Sequence, residues 1–199
     1  MAIDLFWIPL GADGCVVRVN GRIYEALHAA MERRSRCDLY HSALFVHVPE
    51  GRYSIELTPV PDGDGAARGV VAGGAVGSRV LGRFRVFRYE LRCWRDGVIP
   101  DLRHAVASPV RVTDDPAVAR RLLDVAGSVP TLVWGRDELR LGEMWNCNSV
   151  ISWLLARSGA PLAMATPPPG GRVPGWYAGL VVAGWQLPAA PAAPMTSVR

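Results

Sequence analysis

Two short stretches hold the residues best suited to covalent chemistry. The first is "EMWNCNSVISWLLARSG", residues 143–159, in which Cys147 stands between Asn146 and Asn148. Asparagine is a favoured N-cap, because its side-chain oxygen accepts from the free amides at a helix start. Asn146 in that role puts Cys147 in the first helical turn, where unbonded N–H groups and the helix dipole favour negative charge. Val150, Ile151, Leu154 and Leu155 then form an apolar face, with Trp153 alongside, that would hold the cysteine on a rigid element. The plainer alternative is a buried thiol that only fills space. What separates the two is a base. Of the four histidines, His28 falls on the polar side of a helical pattern and His104 in the loop "PDLRHAVASP", so both read as structural or solvated. His41 differs: it opens the apolar run of the second stretch, "YHSALFV". A histidine at a strand mouth can face a helix N-terminus packed across the sheet. His47 shares its parity but lies six residues further on, at ~3.3 Å per residue, too far to serve the same site.

The elements that must position these groups can be read from the rest of the chain. Its 199 residues suit one domain, and half of them are hydrophobic, enough for a core without metal or disulfides. We expect a single domain over residues 1–187 and a disordered Pro/Ala-rich tail over 188–199. The formal charge is +4, and all 22 basic residues are arginine, which reads as coding bias and not as a binding patch. Cys15, Cys37, Cys93 and Cys147 have neither zinc-ligand nor C-x-x-C spacing, and we expect no metal and no cofactor. The segment "MAIDLFWIPLGADG" lacks a basic n-region and carries Asp4, so it does not read as a signal peptide. The run "GWYAGLVVAGW" is short of the ~20 residues that span a bilayer. A cytoplasmic setting with no membrane span is the expectation; oligomeric state is left open.

Residues 3–10 and 15–19 read as strands, and residues 22–36 as an amphipathic helix. Residues 39–60 form the clearest hairpin, folded at "PEGR". Residues 61–78, rich in Gly, Ala and Asp, read as a long loop. Residues 79–94, "RVLGRFRVFRYELRCW", read as one long strand with a bulge near Phe87. Residues 112–130 form a helix capped by Asp114 or Asp115, with Pro116 in its first turn and Gly127 and Pro130 stopping it. "TLVWG" is a short strand or an extended lead-in, and residues 176–187 are an edge strand. The fold class is α+β: an antiparallel β-sheet with flanking helices.

The order "YHSALFV" and then, much later, "WNCNSVISWLL" resembles the circularly permuted papain-like superfamily, in which a histidine on a sheet strand precedes a cysteine on a helix. That superfamily includes the PPPDE-type deubiquitinating and desumoylating isopeptidases, the lecithin:retinol acyltransferase-like proteins and NlpC-related enzymes. The likeness covers roughly residues 39–160. The chain also resembles actinobacterial proteins with "YHSAL", "FRYELRCW" and "GRVPGW"-like blocks, a likeness that implies no activity. The superfamily implies Cys147 as nucleophile, His41 as base and an orienting group on the strand after the histidine strand. Here that strand is "RYSIELTPV"; of Ser54, Glu56 and Thr58, which alternate onto one face, Glu56 is the ionisable one. The Cys147 N–H would supply one oxyanion donor; Asn146, Asn148 and Trp145 are candidates for the second, and Trp145 and Trp176 for a pocket wall.

The implied activity is that of a cysteine hydrolase or acyltransferase acting on a peptide, amide, isopeptide or thioester. The alternative is a non-catalytic binding module on the same fold. The Arg/aromatic alternation of residues 83–95 also occurs in nucleic-acid-binding strands, but any half-exposed strand shows it, and nucleic acid is not the expected partner. The Gly-rich residues 69–78 match neither G-x-G-x-x-G nor a Walker lysine motif.

Overall fold

A computed structural model describes residues 1–12, 25–26, 28–60 and 69–184. The alternation of "YHSALFVHV" and "GRYSIELTP" builds the hairpin foreseen for residues 39–60, from β2 (Tyr40–Val48) and β3 (Gly51–Pro59). These lie at the centre of a six-stranded antiparallel sheet in the order β4-β5-β3-β2-β1-β6. The others are β1 (Ala2–Pro9), β4 (Val70–Ala75), β5 (Arg88–Arg95) and β6 (Val106–Thr113). The β2–β3 ladder runs from Val48↔Gly51 only as far as Leu44↔Ile55, although β3 continues to Pro59 in register with β5. The two central strands therefore part company near the start of β2, and His41 lies beyond the last rung.

The helices are α1 (Pro116–Val125), α2 (Cys147–Ser158) and α3 (Trp176–Val182). Asp115 caps α1 by accepting from the Ala117 amide, with Pro116 at its first turn, as its sequence indicates. The main core joins one face of the sheet, through Leu5, Trp7, Leu44, Val46, Ile55 and Leu91, to α1 and α2. On the opposite face a smaller cluster of Phe6, Ile8, Ala43, Phe45 and Ile99 is covered by the segment after β5, including Leu102.

Helix α2 is buried on nearly every side, and its serines explain how a helix can be so enclosed. Ser149 Oγ donates to Gly175 O and Ser152 Oγ to Trp176 O, at 2.8 and 2.7 Å. Gly179 lets α3 approach: a Cβ there would stand 2.0 Å from Ser149 O.

Several local readings need correction. Residues 176–182 are helical and not an edge strand, because α3 is held by α2 and not by a sheet. Residues 79–87 are not strand: they form two tight 3-10 turns, Leu81–Arg83 and Arg85–Phe87, before β5 begins. Within the expected 61–78 loop, residues 70–75 are strand β4, paired with β5. Strand β6, on the far edge beside β1, was not foreseen. Helical backbone in the first amphipathic segment reaches Met31 and not Arg36. The readings of residues 15–19 and of the 188–199 tail lie outside the described residues.

Candidate active site

The N-terminus of α2 is built by its two asparagines. Asn146 Oδ1 accepts from the amides of Asn148 and Ser149, and Ser149 Oγ accepts in return from the Asn146 amide, completing a capping box. The Val150 amide bonds to Asn146 O. These bonds pass over the Cys147 N–H. Asn148, 2% exposed, ties the helix to its surroundings: its Oδ1 accepts from Ser42 Oγ at 2.8 Å, and its Nδ2 donates to Tyr40 O and Pro174 O at 2.9 Å each. Asn146 Nδ2 also donates to Pro174 O. The segment before α3 is itself fastened to β2, with Arg172 N bonded to Asp38 O and Tyr40 N to Arg172 O. Strand β2, the start of α2 and residues 172–175 thus form one hydrogen-bonded frame around Cys147.

His41 faces the cysteine from this frame. Its Nε2 is 2.8 Å from Asp101 Oδ2, and its ring lies near enough to Cys147 for the cysteine to raise its pKa. With Nε2 engaged by the carboxylate, Nδ1 is the nitrogen left for the sulfur. Asp101 precedes the 3-10 turn Leu102–His104, on the face opposite α2. Cys147 belongs to the helix-side core. Because β2 and β3 have separated here, one imidazole is reached from both faces of the sheet.

The electrostatics follow from this arrangement. Burial works against charging the His41 ring, but the Asp101 hydrogen bond, and then the hydrogen bond and charge of Cys147, outweigh it and carry the pKa up to about 10. Burial would raise the Asp101 carboxyl, but the hydrogen bond and charge of His41 bring it below its usual value. Asp101 and Cys147 together thus favour the protonated ring, which lies between the carboxylate and the cysteine sulfur.

Glu56 is not the residue that orients His41. It stands on the parity of His41 and close enough to feel both His41 and Asp101, yet the carboxylate bonded to the ring is that of Asp101. Burial pushes the Glu56 carboxyl up to about 7; the positive charge of Arg92 opposes this, Asp101 reinforces it and His41 opposes it. Arg92 is itself held by Glu90.

An elongated cleft of about 460 Å³ reaches Cys147. Asn146 and Asn148 line it, with an otherwise apolar wall that includes Leu39, Pro59, Val76, Val86, Trp134 and Met144. Asn148 has both amide protons committed to carbonyls, so it frames the site and is not a free oxyanion donor. Trp145, 2% exposed, is packed into the core. Trp176 tilts against Trp7 at 5.2 Å and lines a separate cleft with Glu143 and Tyr177. The tryptophan in the Cys147 cleft is Trp134, which the sequence reading passed over; its place in "TLVWG", just upstream of the cysteine helix, was the available signal. Asp101 was missed because it lies in irregular chain, where neither period nor spacing marks it. His47 is paired with Asp4, which also binds Arg111, so it ties β2 to β1 and serves the sheet.

Among the described residues no group of three or more His, Cys, Asp or Glu is placed to hold a metal ion, and no helix is long and apolar enough to cross a membrane. Chemically, a cysteine sulfur beside a carboxylate-held imidazole able to hold its proton, at a helix start and on an apolar cleft, is equipped to attack a carbonyl carbon. Compared with protein-family models, curated proteins and solved structures, the chain finds no match.

Proposed function

We propose that the protein is a cysteine hydrolase or acyltransferase of the permuted papain-like kind, with Cys147 as nucleophile, His41 as base and acid, and Asp101 as the residue that orients His41. The observation that carries this reading is the series Asp101–His41–Cys147, contributed by three separate segments, with Cys147 at its end lining the cleft. Such a relay is what thiol-based acyl chemistry requires: a nucleophile, a proton acceptor within reach and a third group fixing the ring. In the first step Cys147 passes its proton to His41 and its sulfur attacks the carbonyl carbon of an amide, isopeptide or thioester. The tetrahedral oxyanion is accommodated by the Cys147 N–H. Imidazolium returns its proton to the departing amine or thiol, and a thioester remains on Cys147. Water or a second acceptor, deprotonated by His41, then resolves it. The apolar wall favours substrates whose acyl portion is hydrocarbon-rich.

The test is trapping of the acyl-enzyme. Incubation with a p-nitrophenyl ester of a medium-chain fatty acid should add one acyl mass to Cys147, removable by hydroxylamine, and Cys147→Ala should abolish the adduct. If Cys37 or Cys93 is acylated as fast as Cys147, the reading fails.

A further inference from the structure

The rim of the Cys147 cleft carries a surface that the chemistry does not use. In residues 79–87, Val80, Leu81, Phe84, Val86 and Phe87 are all exposed, Val80 at 67% and Val86 at 65%. Scattered apolar residues on a surface need no explanation, but a contiguous group of this size marks an interaction site. Neither 3-10 turn buries any of its residues. The backbone is nonetheless seated. Gly82 fits so closely over strand β4 that a Cβ there would meet Ala75 Cβ at 2.6 Å, and Val76 N bonds to Phe87 O. The side chains have no direction open to them but outward.

Charge narrows the partner. Residues 79–88 contain Arg79, Arg83, Arg85 and Arg88 and no carboxylate. The nearby acids are consumed internally: Glu138 by Arg79 and the Val133 amide, Asp137 by the amides of Leu141 and Gly142. Leu139, which follows Glu138 in the chain, is a further exposed apolar residue, at 42%. The partner must therefore accept bulky hydrocarbon and provide negative charge at the same place. Two consecutive tight turns offer no flat face and no ladder edge for a protein groove to match. A fluid lipid interface accepts irregular apolar wedges, and its phosphates suit arginine forks.

We propose that residues 79–87 dock the protein on an anionic lipid surface, Val80, Phe84 and Val86 entering the headgroup–acyl boundary and Arg83 and Arg88 binding lipid phosphates. Val86 also lines the Cys147 cleft, so docking sets the mouth of that cleft against the membrane. The docking stands apart from the chemistry; only the delivery of acyl substrates from the bilayer rests on the acyl-transfer reading.

Co-sedimentation of the 199-residue chain with vesicles tests this. Wild type should bind phosphatidylcholine–phosphatidylglycerol vesicles about tenfold better than phosphatidylcholine alone, and less well at high salt. The triple variant Val80→Ser, Phe84→Ser, Val86→Ser should lose most of that binding, and Arg83→Gln with Arg88→Gln should lose its dependence on the anionic lipid. All five positions are exposed, so unchanged circular dichroism is expected for both variants. Cys147→Ala should bind as wild type does, which separates this proposal from the catalytic one. Equal binding by wild type and the triple variant overturns it. So does a solution dimer that the triple variant dissociates, or retention on single-stranded nucleic acid through the same side chains without vesicle binding.

Discussion

Asp101 Oδ2 lies 2.8 Å from His41 Nε2, across sixty residues of chain and from the opposite face of the sheet to the cysteine. Replacing Asp101 by Asn keeps the shape and removes the charge, so the His41 midpoint, measured by NMR titration, should fall well below about 10. Alkylation of Cys147 by iodoacetamide at neutral pH should slow by about tenfold or more.

The same pair makes stability depend on pH in a defined window. The raised His41 pKa contributes stability that is complete below its unfolded value and is lost as pH rises through about 10. The lowered Asp101 pKa contributes stability above its unfolded value that is lost in acid. Urea unfolding of wild type and Asp101→Asn should therefore differ most between about pH 4 and 6.5, and the two curves should converge in strong acid and in strong alkali.

Glu56→Gln should behave in the opposite sense. A carboxyl with its pKa raised to about 7 adds stability at low pH that is lost as pH rises through that value. The glutamine variant should match wild type in acid and exceed it by about 2 kcal/mol well above pH 7, a rise of several degrees in Tm by calorimetry. Its Cys147 alkylation rate should stay near that of wild type, since Glu56 is not bonded to the ring. A severalfold slowing would return Glu56 to the site.

Strand parity put Glu56 and His41 on one face and so found the right neighbourhood. It chose the wrong carboxylate because parity ranks only residues that lie in strands. Asp101 follows Pro100 in a stretch with no period, and the packing of Ile99 and Leu102 in the second cluster brings it under β2. The start of α2 was legible to the residue, since a capping asparagine and an apolar run are local signals. What Asn146 and Asn148 do beyond capping was not, because their acceptor, Pro174 O, lies 28 and 26 positions away. The same blindness to partners explains residues 176–182. Their apolar run fits strand or helix alike, and the serines of α2 decide for helix.

Asn148→Ala should cost about 3 kcal/mol in denaturant unfolding, because it strands Ser42 Oγ and Tyr40 O in a buried place. Ser42→Ala should cost about 1 kcal/mol, and the double variant less than the sum.

Gly179→Ala drives a methyl group into Ser149 O and Ser152 Oγ and should destabilise by about 2–3 kcal/mol as α3 is pushed off α2. Gly127→Ala, with nothing within 4 Å of the added carbon, should stay within about 0.5 kcal/mol of wild type. Paired thermal melts make the comparison.

The Pro174 carbonyl, held by both asparagines that flank the thiol, also bears on when the site comes into being. Translation makes His41 before Asp101 and Asp101 before Cys147, and the acceptor that fixes the cysteine helix is made later still. At about 5–20 residues per second, the nascent chain spends seconds with a histidine strand and no thiol to face. It then passes briefly through a stage with a thiol but no Pro174 to hold it. Assembly of the reactive group is thus delayed until Pro174 has been made, and a chain stalled before residue 174 carries its cysteine without the frame that would aim it.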